Sequence, residues 1–179
     1  MRMLRHAVGP VLLLVLGAWF ARAGGEDKLV AYRQRVRAKY AAVRQVSTTA
    51  LGDWLSDTNR TPPVLLDVRE KVEYEVSHLT GATLAPKKSG LRALVEGLGE
   101  QTPVVVYCSV GMRSSALAIE LQKAGHTNVF NLDGSIFQWA NEGRPVFQGT
   151  NEVNSVHPYN RKWGRFLKEE LRARVPPVK

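Results

Sequence analysis

Between Val64 and Leu132 the apolar residues come in short unbroken runs rather than in strict alternation. Val64-Leu65-Leu66-Asp67-Val68, Val104-Val105-Val106-Tyr107 and Val129-Phe130-Asn131-Leu132 each read as a strand buried on both faces. Between them the period lengthens, and helices are expected over Leu91–Leu98, Met112–Lys123 and Ser135–Asn141. Strands alternating with helices predict an α/β domain of three layers, a central parallel sheet covered by helices on both faces. Pro62-Pro63 stops the segment before the first strand. Ahead of it, Ser47 or Thr48 caps a short helix that turns Leu51, Trp54 and Leu55 inward. Sheets of this kind bind ligands at the carboxyl ends of their strands. Cys108 stands at that end of the strand Val104–Tyr107, and Asp67 occupies the matching end of its neighbour.

The flanks follow other patterns. From Glu26 to Val46 the apolar positions Leu29, Tyr32, Val36, Tyr40 and Val43 recur at steps of three and four, with basic residues largely between them. This is an amphipathic helix whose stripe packs on the domain behind it, with docking of the basic face on anionic lipid as the alternative. After the turn His157-Pro158-Tyr159-Asn160, a second amphipathic helix is expected over Lys162–Arg174, with Trp163, Phe166, Leu167 and Leu171 on one side. At the start, Arg2 and Arg5 precede the apolar run Val11–Phe20 and the small-x-small triplet Ala21-Arg22-Ala23, the three parts of a secretory leader. The run is shorter than the ~20 apolar residues of a membrane span, which makes a retained anchor over residues 7–21 the lesser alternative. The expected organisation is a leader over 1–23, a basic helix over 24–46, the α/β domain over 47–147 and a basic extension over 148–179. Export to a periplasmic or extracellular space follows from the leader.

Charge and cysteine content narrow the chemistry. The formal net charge of the 179 residues is +9, but residues 47–157 carry nine basic against twelve acidic groups. The excess positive charge lies wholly in the flanks, so no nucleic-acid-binding core is implied. Cys108 is the only cysteine, which excludes an internal disulfide framework, a Cys-x-x-Cys pair and multi-thiolate metal sites. The four histidines are scattered without ligand spacing, so no metal is expected.

In VVVYCSVGMRSSAL (104–117) a buried strand delivers Cys108, four residues intervene, and Arg113 opens a helix followed by Ser114. A loop bent around a sulfur, with its amides pointing inward, forms an anion-binding nest, and Gly111 permits the tight backbone. The positive end of the next helix and the charge of Arg113 both favour thiolate over thiol. Cys108 is therefore the expected nucleophile. Asp67 and Arg69 are expected to form an ion pair supporting adjoining loops. Glu70, Glu73 and Glu75 read as a solvated helix face, His78 as a loop hydrogen-bonding residue and Trp139 as core.

Three stretches of this chain resemble the single-domain rhodanese (sulfurtransferase) family. Asp67-Val68-Arg69-Glu70, with Glu73-Tyr74 and His78-Leu79-Thr80-Gly81-Ala82, is similar to its first signature. Cys108-Ser109-Val110-Gly111-Met112-Arg113-Ser114 resembles its Cys-x-x-Gly-x-Arg-Ser active loop. Asn131-Leu132-Asp133-Gly134-Ser135-Ile136, through Trp139 to Gly143-Arg144-Pro145-Val146, resembles its closing motif. Ser77, Thr80 and Ser135 depart from the usual Gly, Pro and Gly. The resemblance implies a rhodanese-like fold and sulfur transfer through a Cys108 persulfide, from thiosulfate or a persulfide to cyanide or a thiol. Arg113, Ser109, Val110, Gly111, Met112 and Ser114 would then hold the substrate, with Asp67 and Arg69 in support, no cofactor, and small-molecule partners. Ser109, Val110 and Met112 are uncharged, so the loop lacks the extra cation of relatives that favour thiosulfate. The alternatives are a non-catalytic interaction module of the same fold, or a Cys–Arg phosphatase. Phosphatase loops of that type hold five residues between Cys and Arg, and this loop holds four.

Overall fold

The computed structural model describes residues 28–99 and 101–178. The leader pattern lies outside the described residues. Chain order begins with helix α1, running through residues 28–39, and strand β1 (Arg44–Val46). Helix α2 (Thr48–Ser56), β2 (Val64–Asp67), α3 (Lys71–Val76), β3 (Thr83–Leu84) and α4 (Leu91–Gly97) follow. Then come β4 (Val104–Tyr107), α5 (Met112–Lys123), β5 (Val129–Leu132) and α6 (Ser135–Asn141). The chain closes with a hairpin of β6 (Val146–Gln148) and β7 (Asn151–Val153), and the short helix α7 (Arg161–Gly164).

Five strands form one parallel sheet in the order β1-β5-β4-β2-β3. The three strands expected from their apolar runs are its centre, and each is buried on both sides because alternate residues feed different cores. Val105, Tyr107, Leu65 and Leu132 pack with Leu51, Trp54, Ile136 and Phe137 under α2 and α6. Val104, Val106, Leu66 and Val129 pack with Leu91, Leu117, Ala118 and Leu121 under α4 and α5. Register places Asp67 opposite Tyr107, so β2 and β4 end level and their loops leave side by side. Ser47 caps α2 as its composition suggests, its hydroxyl accepting from the Ala50 amide at 3.0 Å.

Both flanking helices differ from expectation. The first ends by residue 39, and Arg44–Val46 joins the sheet edge instead, with Val46 opposite Leu132. Three residues, two of them polar, carry no strand pattern, and the apolar spacing of Tyr40 and Val43 runs on from the helix. The helix expected over Lys162–Arg174 is broken after Gly164. A Cβ on Gly164 would stand 2.9 Å from Pro158 Cβ, so the tail folds back where only glycine fits. It continues as a single 3-10 turn, Glu169–Leu171, and an extended run bridging Val156 and Arg172. Phe166 and Leu167 are buried all the same, and Asn141 holds the tail by donating to the Phe166 carbonyl at 2.8 Å.

The stripe of α1 does pack on the domain, with Leu29 and Val36 buried. Part of its basic face is also used within the fold. Arg33 and Arg37 both bind the buried carboxylate of Asp133, in the loop between β5 and α6. Burial pushes the Asp133 carboxyl up, but the two guanidinium groups outweigh it and hold the group below its ordinary value. This contribution is therefore complete above the ordinary carboxyl range and is lost as pH falls through the lowered value. Among the described residues no helix is long and apolar enough to cross a membrane.

Asp133→Ala should loosen α1 from the domain. Because both arginines are partly exposed and re-solvate, the expected global loss is about 1–2 kcal/mol. Amide exchange in residues 28–39 should accelerate more than in β4. Unchanged exchange there would mean that apolar packing alone holds the helix.

Candidate active site

The loop that leaves β4 wraps around the Cys108 sulfur. Gly111 takes φ 101°, a left-handed conformation that ends the loop and caps α5. A Cβ there would lie 3.3 Å from Asn131 Nδ2 and 3.5 Å from Val36 Cγ1, so α1 rests on the loop where it is thinnest. The Gly111 amide donates to Cys108 Sγ at 3.2 Å, and backbone amides of Val110 and Ser114 also act on the sulfur. Ser114 Oγ lies 3.5 Å from Sγ and 2.6 Å from Asn131 Oδ1. Cys108 is 1% exposed. That burial pushes its thiol pKa up, but Arg113 and the bonds from Ser114 and Val110 prevail, leaving it below the ordinary thiol value. The thiolate is thus favoured inside the fold, where desolvation alone would suppress it.

Arg113 is held by a residue that the sequence reading placed in solvent. Glu73 is fully buried, not on a solvated face. Its carboxylate accepts from Arg113 Nη1 at 2.7 Å and Nη2 at 2.9 Å, a two-pronged pair. Ser109 Oγ also donates to Glu73, at 3.1 Å, and accepts from Arg113 Nη2 at 3.0 Å. At the first turn of α3, Glu73 accepts from the Glu70 amide as well. The Glu70–Glu73 spacing of a capping box was the signal available for it. Burial raises the Glu73 pKa, but Arg113 outweighs burial and the net direction is down.

Asp67 and Arg69 lie one strand away and do form the expected pair, completely buried. Arg69 donates to both Asp67 oxygens and, at 2.5 Å, to the Ser77 carbonyl. The hydrogen bonds of the Arg69 side chain go to Asp67 and Ser77, away from the sulfur. Ser77 has an extended backbone at φ −169°, open to any residue, which explains why serine replaces the usual glycine without strain. His78 hydrogen-bonds the Tyr74 carbonyl at 3.0 Å, and Trp139 is buried with its indole donating to the Pro145 carbonyl, both as expected.

Ser135 is a second departure with a local reason. Gly134 and Ser135 are both left-handed, at φ 73° and 54°. The cost of holding a serine there is offset by its hydroxyl, which accepts from the buried Cys108 amide and donates to the Leu132 carbonyl, each at 3.2 Å. The closing motif therefore fixes the backbone of the cysteine.

Above the sulfur lies a cavity of about 160 Å³. Val110, Met112 and Arg113 line it from the loop, and Tyr159 and Trp163 from the tail. The Tyr159 ring stands over the Arg113 guanidinium at 4.9 Å, and Trp163 meets Tyr32 of α1 edge to face at 5.3 Å. Tyr159 is itself left-handed at φ 63° and donates its amide to His157 Nδ1 at 2.9 Å. Burial lowers the pKa of His157, keeping it neutral and able to accept that bond. No spacing pattern pointed to Tyr159 or Trp163. Of the residues expected at the site, Cys108, Ser109, Val110, Met112 and Arg113 line this cavity, while Gly111 and Ser114 touch the sulfur from within the loop.

Comparison with known proteins identifies the family and the fold. The profile described as Rhodanese-like domain matches residues 47–142, more than half of the chain. The chain belongs to the rhodanese-like domain family. It is 33% identical over 111 residues to the probable adenylyltransferase/sulfurtransferase MoeZ of Mycobacterium tuberculosis, covering 60% of this chain and 27% of that protein. The chain thus spans about a quarter of that relative. It is 28% identical over 104 residues to a protein named sulfurtransferase from Allochromatium vinosum, covering 58% of this chain and 94% of the other. The crystal structure of BH2092 from Bacillus halodurans shares the fold, with TM-score 0.54 and 20% identity over 74% of this chain and 93% of that one. The fold is rhodanese-like.

Ser135→Ala keeps the left-handed backbone and strands the Cys108 amide, so it should cost about 1–3 kcal/mol. Ser135→Gly loses the same bond but relieves about 1 kcal/mol of backbone strain. Urea unfolding should rank the glycine variant as the more stable of the two. The reverse order would show that the left-handed serine is unstrained.

Proposed function

We propose that the protein is a sulfurtransferase that moves a sulfane sulfur from a donor, thiosulfate or a persulfide, to a thiophilic acceptor, cyanide or a thiol. The observation that carries the reading is the single thiol, held at a strand end by inward-pointing amides and a paired arginine, with its pKa drawn down despite burial. In the first half-reaction the Cys108 thiolate attacks the outer sulfur of the donor. A bond forms from Sγ to that sulfur as the donor's S–S bond breaks, and the donor leaves as sulfite or as a thiolate. In the second, the acceptor attacks the same outer sulfur and the Cys108 thiolate departs. One sulfur atom moves and no external oxidant is needed.

The amides of Val110, Gly111 and Ser114 stabilise the anionic sulfur in each state, and they need not reorganise to do so. Arg113 supplies the full charge, and Glu73 fixes where that charge sits. Four residues between Cys108 and Arg113 make a cradle suited to one sulfur atom rather than a phosphate group. The leader pattern over residues 1–23 supports export, which would place the reaction in a periplasmic or extracellular space.

Arg113→Ala should lower the rate of sulfur transfer about a hundredfold, the loss of about 3 kcal/mol of charge stabilisation. The substitution also leaves Glu73 buried without its cation, so the double variant Arg113→Ala/Glu73→Gln serves as the folded control. In the wild type, activity should fall with acidification as the lowered Cys108 pKa is crossed. That midpoint should move upward in the double variant. Neither protein should hydrolyse an aryl phosphate. Phosphate release dependent on Cys108 would replace this reading with a phosphatase, and wild-type sulfur transfer without Arg113 would reduce that residue to a structural role.

A further inference from the structure

Resting on the sulfur-transfer reading, we propose that Tyr159 and Trp163 form a selectivity wall and that the organic substrate of this site is a small uncharged thiol, carried as its persulfide. Both residues follow the segment matched to the family, residues 47–142, and the tail that carries them is anchored independently. The Val178 amide donates to the Tyr159 carbonyl at 2.9 Å, and Asn160 caps α7 by accepting from the Lys162 and Trp163 amides. Tyr32 and Phe166 pack against Trp163 from behind. The wall is built into the fold from both ends of the chain.

Three properties of the cavity fix the class of molecule. Its size, about 160 Å³, lies below the about 300–1,000 Å³ of ordinary ligand pockets, so it suits a compact molecule. Its surroundings beyond the sulfur are chiefly the apolar side chains of Val110 and Met112 and the rings of Tyr159 and Trp163. Among the described lining residues its one cation, Arg113, is already engaged. Arg113 gives both terminal nitrogens to Glu73, one of them also to Ser109, and Tyr159 covers its face. The loop amides and what remains of the Arg113 field serve the Cys108 thiolate itself. A dianion would bring two further negative charges to lining residues that offer no second cation. A compact neutral thiol brings only its sulfur charge, directed at the loop, and rests its carbon part on the rings. A thiol fixed to a protein surface would have to pass the same wall to reach Cys108, which is 1% exposed.

The test uses the protein loaded with one sulfur on Cys108, and follows its discharge in a single turnover by two thiols. One is 2-mercaptoethanol, small and uncharged apart from its thiol. The other is mercaptosuccinate, which carries two carboxylates. After correction for the thiolate fraction of each, the second-order rate constant for 2-mercaptoethanol should exceed that for mercaptosuccinate at least about tenfold. Trp163→Ala and Tyr159→Ala should each shrink that ratio towards one, and Trp163→Phe should keep it. Equal rates in the wild type would overturn the proposal even if both alanine variants failed to fold, while leaving the sulfur-transfer reading intact. A ratio unchanged in folded alanine variants would overturn the role of the wall. Failure of Cys108 to load at all would remove the underlying function and this inference with it.

Discussion

A thiol buried at the end of a central strand, its pKa drawn below the ordinary value, is the constraint around which this molecule is arranged. Desolvation disfavours its charged form strongly, and an apolar site would keep Cys108 protonated. The protein answers with amides at the closest range and a guanidinium just beyond them. The guanidinium then needs its own partner, and Glu73 supplies it from the first turn of α3. Next along the same rim, Asp67 and Arg69 pair with each other, and Arg69 also ties down the Ser77 carbonyl where α3 ends. The signs alternate outward from the sulfur. Each of these charges has a neighbour of opposite sign, although Arg69 Nη1 itself makes no hydrogen bond.

The segments on either side of the family domain continue this arrangement with apolar and aromatic contacts. Helix α1 is held to the β5–α6 loop by Asp133 and sets Val36 against Gly111. The tail sets Tyr159 and Trp163 over the cavity. Together they leave the sulfur 1% exposed while keeping a cavity beside it. Burial of the sulfur strengthens the electrostatic contacts made to it, and under the proposed function it would limit competing reactions of a persulfide. The roof and the field around the thiol therefore act in the same direction.

Much of this was legible from residue order. Continuous apolar runs identified the three central strands because burial on both faces leaves no polar alternation, and level strand ends put Cys108 beside Asp67. The loop from Cys108 to Ser114 was readable because glycine, arginine and a helix start have few other reasons to follow a buried thiol. Glu73 was misread because its neighbours Glu70 and Glu75 are exposed, and a single inward carboxylate in a six-residue helix has no period to announce it. Strand β1 was missed because an edge strand of three residues draws its pairing from β5 and little from its own side chains. Tyr159 and Trp163 come to the site from a tail beyond the family segment, a tertiary placement that neither the turn at Tyr159 nor the helical spacing of Trp163 announces. Local chemistry was visible, and what arrived from a distance was not.

The central claim is that Cys108 carries the sulfur as a persulfide. Intact-mass measurement of the protein after exposure to a sulfane donor tests it most directly, because no second thiol can take the atom. The account predicts a gain of one sulfur, located on Cys108 by fragmentation, reversed by a reductant or by an acceptor thiol, and absent from Cys108→Ser. A sulfur adduct that persists in Cys108→Ser, or a wild-type protein that takes up none, would contradict it.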